Sequence, residues 1–222
     1  IGEAKGASQF TINAHDLDGK LNIVTGKKGT GKSHLSKLFV LGLIDYGATV
    51  VVLDLNGEYT NLGFSSNGEK NEYHSRVHVF TPGANLKVSL AQVDLKIMLN
   101  ILVHALNLPG TSTREFRHIW RSLQQRRAFT LQELGDAIKS WNCNQHVRDA
   151  LFSRYYSLLN SGFFTDNLAE ATTFEELFQK TRNGGALVIN LRDVSSVDRQ
   201  IVVEYVLGKL VELLTQWKLR AV

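Results

Sequence analysis

Apolar residues follow two different spacings along the chain. Short runs rich in β-branched residues occupy positions 21–25, 49–54 and 183–191, and each predicts a buried strand. A further run at 76–80, closed by a Thr-Pro-Gly turn, predicts another short strand. Strands that alternate with helical segments are typical of an α/β fold with a mostly parallel sheet.

Between these strands, apolar residues recur three and four positions apart, which is the spacing of amphipathic helices. Helices are predicted at 34–46, 93–106, 112–127, 131–141, 145–159, 174–180 and 197–214. We therefore expect four segments: a remnant of an upstream region at 1–16, a first core segment at 17–91, a helical insertion at 92–182 and a second core segment at 183–222.

The most specific motif is glycine-rich. Residues 26–33 read Gly-Lys-Lys-Gly-Thr-Gly-Lys-Ser, which matches the P-loop pattern G-x-x-x-x-G-K-S. A predicted strand precedes the motif and a predicted helix follows it, in the order that a P-loop requires. The alternative, a glycine-rich turn with an incidental lysine, needs both flanking elements to coincide by chance.

Each residue type in this loop suits phosphate binding. Glycines at 26, 29 and 31 let backbone N–H groups point inward, where they and a helix N-terminus attract phosphate oxygens. Lys32 is expected to reach the β- and γ-phosphates, and Ser33 to ligate Mg²⁺. The predicted cofactors are ATP or GTP, together with Mg²⁺. The predicted nucleotide-binding residues are Gly26, Lys27, Lys28, Gly29, Thr30, Gly31, Lys32, Ser33 and His34.

One acidic residue ends the strand at 49–54 and a second lies in the turn after it. Asp54 ends that strand, so it is a candidate to hold a magnesium-bound water, and Glu58 is a candidate catalytic group near the γ-phosphate together with Lys32. The alternative is that Asp54 caps a turn and Glu58 is solvated. Residues 54–57 also fit the D-x-x-G of GTPases, but no Asn-Lys-x-Asp segment is present, which disfavours a GTPase.

The P-loop, the helix, the strand and then Asp54-Leu55-Asn56-Gly57-Glu58-Tyr59 resemble the HerA/FtsK group of ring-forming DNA-translocating ATPases. In that group an Asp-Pro-His-Gly-Glu-Tyr type segment occupies this place. The run at 183–191 and the helix after it are similar to the HerA branch, although the strand ends in Asn-Leu rather than Asp-Leu. The resemblance covers residues 17–62 and 183–222.

This resemblance implies a RecA-like P-loop core, ATP hydrolysis, a hexameric ring of identical chains, double-stranded DNA as the track, and a nuclease or effector protein as a partner. A basic residue before the P-loop strand acts on the neighbouring subunit's nucleotide in that branch. Lys20 stands at the matching position, although lysine is less suited than arginine to bidentate phosphate contact.

Family members also carry a catalytic carboxylate at the end of a further strand, and no such run occurs in this sequence. We therefore expect the chain to stop short of that strand, with the residue that activates the attacking water beyond position 222. The sequence also lacks an initiator methionine, so we expect truncation at both ends. Such a fragment should bind nucleotide better than it hydrolyses it.

Positive charge concentrates in the middle of the chain. The formal net charge is +4, and residues 111–127 alone contain five arginines against one acid, Glu115. Arg114, Arg117 and Arg121 recur on one face of the predicted helix, where DNA phosphates or a neighbouring subunit's acidic surface could bind. The alternative is a solvated helix face.

The single cysteine, Cys143, cannot form an intramolecular disulfide, and no stretch of the sequence has the length and apolarity of a membrane span. A cytoplasmic protein without membrane contact is therefore expected.

Besides an ATP-driven DNA motor, two functions stay open: a P-loop phosphotransferase for a small molecule, with the helical insertion as its lid, and a nucleotide-gated assembly module, for example in antiviral defence.

Overall fold

A computed structural model describes residues 13, 17, 21–125 and 128–216 of the chain. The described strands are β1 (Thr49–Asp54), β2 (Val77–Phe80) and β3 (Gly185–Asn190). The described helices are α1 (Lys32–Asp45), α2 (Leu95–Asn100), α3 (Gly110–Gln124), α4 (Leu131–Ser140), α5 (Gln145–Asn160), α6 (Phe174–Thr181) and α7 (Ser196–Gln216). None of these helices combines the length and the apolar character needed to cross a membrane.

The strands within the described residues form a three-stranded parallel sheet in the order β1-β3-β2. Thr49 pairs with Gly185 at one end of β1, and Asp54 pairs with Asn190 at the other. The carboxyl ends of β1 and β3 therefore meet at one edge of the sheet. This α/β arrangement, with helices between parallel strands, is that of a RecA-like P-loop domain and confirms the predicted fold class.

The central strand β3 is buried on both faces because helices cover the sheet on both sides. Ala186 and Val188 belong to a small cluster with α1. Leu187 and Ile189, which alternate with them, belong to a larger cluster that includes Trp120 of α3. The larger cluster thus joins the helical region to the sheet, and the division into core segments and insertion stays a prediction.

Two kinds of contact anchor α1 to the sheet. Val40 and Ile44 are buried against it. At the end of the helix, Asp45 accepts hydrogen bonds from the hydroxyl of Tyr73 at 2.7 Å and from the guanidinium of Arg76 at 2.8 Å. These two bonds, that of Tyr73 foremost, lower the pKa of Asp45. These contacts hold the C-terminal end of α1 in place. Its opposite end, which begins at Lys32, directly follows the glycine-rich loop.

The prediction of a buried strand at 21–25 is wrong for this structure. These residues are in no strand, and Leu21 and Ile23 are 88% and 77% exposed. A strand exists through hydrogen bonds to a neighbouring strand, and β1, β3 and β2 pair only with one another in the described sheet. An apolar, β-branched run indicates a preference for burial, but it does not determine whether a neighbouring strand is present to pair with it.

The predicted helices all exist, with ends that differ by a few residues from the predicted ones. The helix predicted at 93–106 starts as α2 and continues as a π-helix over Ile101–Ala105. The described part of α3 ends at Gln124. Arg126 and Arg127 lie outside the described residues.

Candidate functional site

The loop at 26–33 turns directly into α1. Gly31 precedes the helix in a left-handed conformation, with φ of 84°, and its carbonyl oxygen accepts the N–H of Leu35 at 2.9 Å. Gly29 has φ of 83°. Side chains with a β-carbon rarely adopt this conformation, so both positions require glycine to form the turn.

The start of α1 is suited to an anion. No side chain among the described residues caps it, and its first turn contains no acidic residue. The first N–H groups of a helix have no partner within the helix, and the helix dipole adds positive potential there. Exposed basic residues at 27, 28 and 34 surround this end. The arrangement therefore fits the phosphates of a nucleotide.

Lys32 folds back across the loop. Its ammonium donates a hydrogen bond to the carbonyl oxygen of Lys27 at 2.7 Å, and the hydroxyl of Thr30 donates to the same oxygen at 2.8 Å. An ammonium has three donors, so this contact leaves donors for a phosphate. Ser33 is exposed in the first turn of α1, where its hydroxyl can reach a nucleotide-bound cation. Lys20 lies outside the described residues.

Asp54 is 2% exposed at the end of β1, and its carboxylate holds the turn that follows. One oxygen accepts the backbone N–H of Glu58 at 3.0 Å and the other accepts that of Tyr59 at 2.8 Å. The structure therefore gives Asp54 the turn-capping role of the alternative interpretation. Glu58 itself is partly buried, and magnesium binding by Asp54 and catalysis by Glu58 stay predictions.

This turn lies between α1 and the end of β3. The ammonium of Lys37, one helical turn after Ser33, stands 5.9 Å from the centre of the Tyr59 ring. Gly57 has φ of 70°, and a β-carbon added there would come within 2.9 Å of Cδ of Arg192. The structure thus places the segment at 55–59 beside the helix that carries the P-loop.

Sequence reasoning missed Arg192. Its guanidinium makes no hydrogen bond or ion pair with another described residue, and its backbone is held firmly: Arg199 donates to the carbonyl oxygens of Leu191 at 2.9 Å and of Arg192 at 2.7 Å. The N–H of Leu191 in turn donates to the carbonyl oxygen of Asp54 at 2.9 Å. The sequence contained a signal for Arg192, because a basic residue directly after a predicted strand lies where ligands bind in parallel sheets.

A dedicated protein cage for a metal is absent from the part of the chain that the structure describes, which contains no cluster of three or more histidine, cysteine or acidic side chains. Magnesium does not need such a cage, because it is usually bound by one or two side chains together with substrate phosphates. The hydroxyl of Ser33 fits that kind of site, and the buried carboxylate of Asp54 could contribute through water.

The three arginines lie apart from the loop, on α3 in the helical region. Arg114, Arg117 and Arg121 are all exposed, whereas Phe116 and Trp120 of the same helix are buried. We call Arg114, Arg117 and Arg121 the basic face. The sequence therefore identified this face correctly as the exposed side of an amphipathic helix.

Comparison with known families agrees with these features. The family model described as Helicase HerA, central domain, matches residues 1–210. The match includes the P-loop, the turn after β1 and the whole helical region. The motifs that carry the resemblance in the sequence cover only residues 17–62 and 183–222, so they do not extend over the helical region. No curated protein matches the chain significantly.

Proposed function

Because the chain belongs to the family of the HerA helicase central domain and is thus a P-loop ATPase of the HerA/FtsK type, we propose that it is the motor domain of a ring-forming double-stranded-DNA translocase. The observation that carries the proposal is the family match over residues 1–210 together with the glycine-rich loop that opens α1. The helicase named in that family supports nucleic acid as the track.

In this proposal the loop amides and the start of α1 hold the phosphates of ATP. Lys32 exchanges its bond to the carbonyl oxygen of Lys27 for contacts to the β- and γ-phosphates. Ser33 holds Mg²⁺, which neutralises developing phosphate charge when it is bound. Asp54 fixes the turn that presents Glu58, so Glu58 is the described carboxylate that we assign as a candidate catalytic group.

A ring of identical chains would complete the nucleotide site. We propose a homohexamer in which Lys20 contacts the nucleotide of a neighbouring subunit, with a nuclease or effector protein as an additional partner. A ring is also consistent with a P-loop whose residues 26–31 and 33–34 are exposed, because a neighbouring subunit could then cover the nucleotide. The single cysteine supports a reducing, cytoplasmic setting.

ATP turnover with and without double-stranded DNA tests this function. We expect slow turnover by the purified chain that duplex DNA stimulates and that Lys32→Ala abolishes. Lys70→Ala, which removes an equivalent charge from an exposed loop, is the control and should behave like the unmodified chain. ATP turnover that ignores duplex DNA would contradict the proposal.

The same experiment separates the two other functions. ATP-dependent oligomerisation with negligible turnover, measured by light scattering, would favour the nucleotide-gated assembly module. A phosphorylated small molecule among the products would favour the phosphotransferase. The motor is preferred because the family match connects the helical region to the ATPase core, whereas a substrate lid would be a feature of another P-loop class.

A further inference from the structure

The basic face on α3 presents three guanidinium groups in a row. Residues 114, 117 and 121 recur at intervals of three and four, so at 1.5 Å per residue they cover about 10 Å of the helix. The side chain of Arg114 is 75% exposed. The opposite side of α3, which includes Phe116 and Trp120, packs into the core. The row is therefore carried on a helix that the core holds in place.

These charges are largely uncompensated. Arg117 and Arg121 make no hydrogen bond or ion pair with another described residue. Arg114 approaches Glu115 at 3.5 Å, but Glu115 also accepts a hydrogen bond from the indole N–H of Trp141 at 3.1 Å. A row of exposed cations with so little internal pairing favours an external anion, because each unpaired guanidinium retains its five donors.

We propose that the basic face binds the phosphate backbone of double-stranded DNA, independently of sequence, at a site separate from the nucleotide loop. This inference rests on the proposed action on DNA. Duplex DNA carries one negative charge per about 1.7 Å of its axis, so a row about 10 Å long faces several phosphates. Guanidinium groups are well suited to bind them because their planar donors match phosphate oxygens.

The composition of this surface favours a duplex over a single strand. Proteins that bind single strands combine positive charge with exposed aromatic rings on which bases stack. On α3 the aromatic residues Phe116 and Trp120 are buried, and the nearby Trp141 is partly buried and tied to Glu115. The basic face therefore offers phosphate contacts without a stacking platform.

The same composition disfavours a protein partner. Stable protein interfaces have a largely apolar centre with a polar rim. Around the three arginines, α3 exposes His118 and Gln124, and its apolar residues point into the core. An acidic surface of a neighbouring subunit would find charge on this face but no apolar centre.

Equilibrium binding to a fluorescently labelled duplex of random sequence, measured from 50 to 300 mM salt, tests this site. The variant Arg114→Gln/Arg117→Gln/Arg121→Gln removes three positive charges from the basic face. The control Lys70→Gln/Lys96→Gln/Lys180→Gln removes three from other exposed positions. Unfolding curves of both variants establish that they are folded.

We expect the arginine variant to bind duplex DNA at least about tenfold more weakly at 100 mM salt. The slope of log affinity against log salt should fall by about 2 to 3, since each phosphate contact contributes about 0.9. The control should stay within about threefold of the unmodified chain, because its charges act only at long range.

Three results would overturn the inference. If the unmodified chain binds duplex DNA and the arginine variant binds equally well, the site is wrong while the proposed function stands. If the unmodified chain binds single strands more tightly than duplexes, the assignment to duplex DNA is wrong. If it binds neither form, the inference and the proposed function both fail.

Discussion

The carboxylate of Asp54 lies 2.8 Å from the backbone nitrogen of Tyr59, and this contact shapes the turn after β1. The second carboxylate oxygen accepts the N–H of Glu58 at 3.0 Å. Asp54 therefore uses both oxygens to orient a turn that lies against Lys37 of α1 and Arg192 beyond β3. An aspartate at the end of a strand next to a P-loop can thus have a structural role, whatever it contributes to a metal.

Replacing Asp54 by asparagine tests that structural role. The amide would place an NH₂ group against a backbone N–H, leaving a buried donor without an acceptor. We expect the free energy of unfolding, measured in urea without nucleotide, to fall by about 1–3 kcal/mol. Asp193→Asn makes the same change at an exposed position and should cost far less. Equal effects of the two variants would argue against a turn held by Asp54.

Gly57→Ala tests the contact between this turn and Arg192. The variant adds a β-carbon at a φ of 70° and within 2.9 Å of Cδ of Arg192. We expect a loss of stability of about 1–2 kcal/mol from backbone strain and crowding. In an Arg192→Ala background only the strain remains, so Gly57→Ala should cost less there. Identical costs in both backgrounds would show that the Arg192 side chain does not crowd a β-carbon at position 57.

The packing of α4 on α5 depends on Gly135. A β-carbon at this position would come within 2.5 Å of the Tyr155 ring, which is buried. We expect Gly135→Ala to lower the free energy of unfolding by about 1–3 kcal/mol. Gly42→Ala is the matched control, because a β-carbon at Gly42 in α1 meets no atom within 4 Å. That control should stabilise the chain by about 0.5–1 kcal/mol through helix propensity.

His78 in β2 provides a test by pH. Burial, and secondarily the charge of Lys180, lower the pKa of His78 below its ordinary value of 6.5. As the pH falls, the unfolded chain therefore takes up a proton at His78 at a higher pH than the folded chain does. The free energy of unfolding should thus decrease as the pH drops below about 6.5. Urea unfolding at pH 7.5 and 5.5 measures this loss. His78→Gln should show a smaller loss, and an equal loss in both proteins would contradict the burial of His78.

Local signals made much of this structure predictable. The strand at 49–54 and the helices from 110 to 216 followed from apolar spacing, because a strand or a helix buries a face that its own sequence defines. The P-loop was found from its glycines and from Lys32 and Ser33, whose roles depend on neighbours in sequence. The exposed arginine row on α3 was predictable for the same reason.

Contacts between distant residues were not predictable in this way. Arg192 approaches Gly57 only because β1 and β3 pair side by side. The spacing of apolar residues along the chain does not indicate which strands pair. The strand predicted at 21–25 failed for a related reason, since its apolar residues do not specify a partner strand. The bonds from Asp54 to the next turn compete with metal binding, and residue type alone does not decide between them.

Binding of ATP in the presence and absence of Mg²⁺ is the most direct test of the central claim, that the loop at 26–33 is an ATP site. We expect saturable binding of one nucleotide per chain that Mg²⁺ strengthens. Lys32→Ala should weaken it at least about tenfold, since hydrogen bonds to charged groups contribute about 1.5–3 kcal/mol. Lys70→Ala removes an equivalent charge from an exposed loop outside the site and should stay within about threefold. Binding that is absent, or equally affected by both substitutions, would contradict this account.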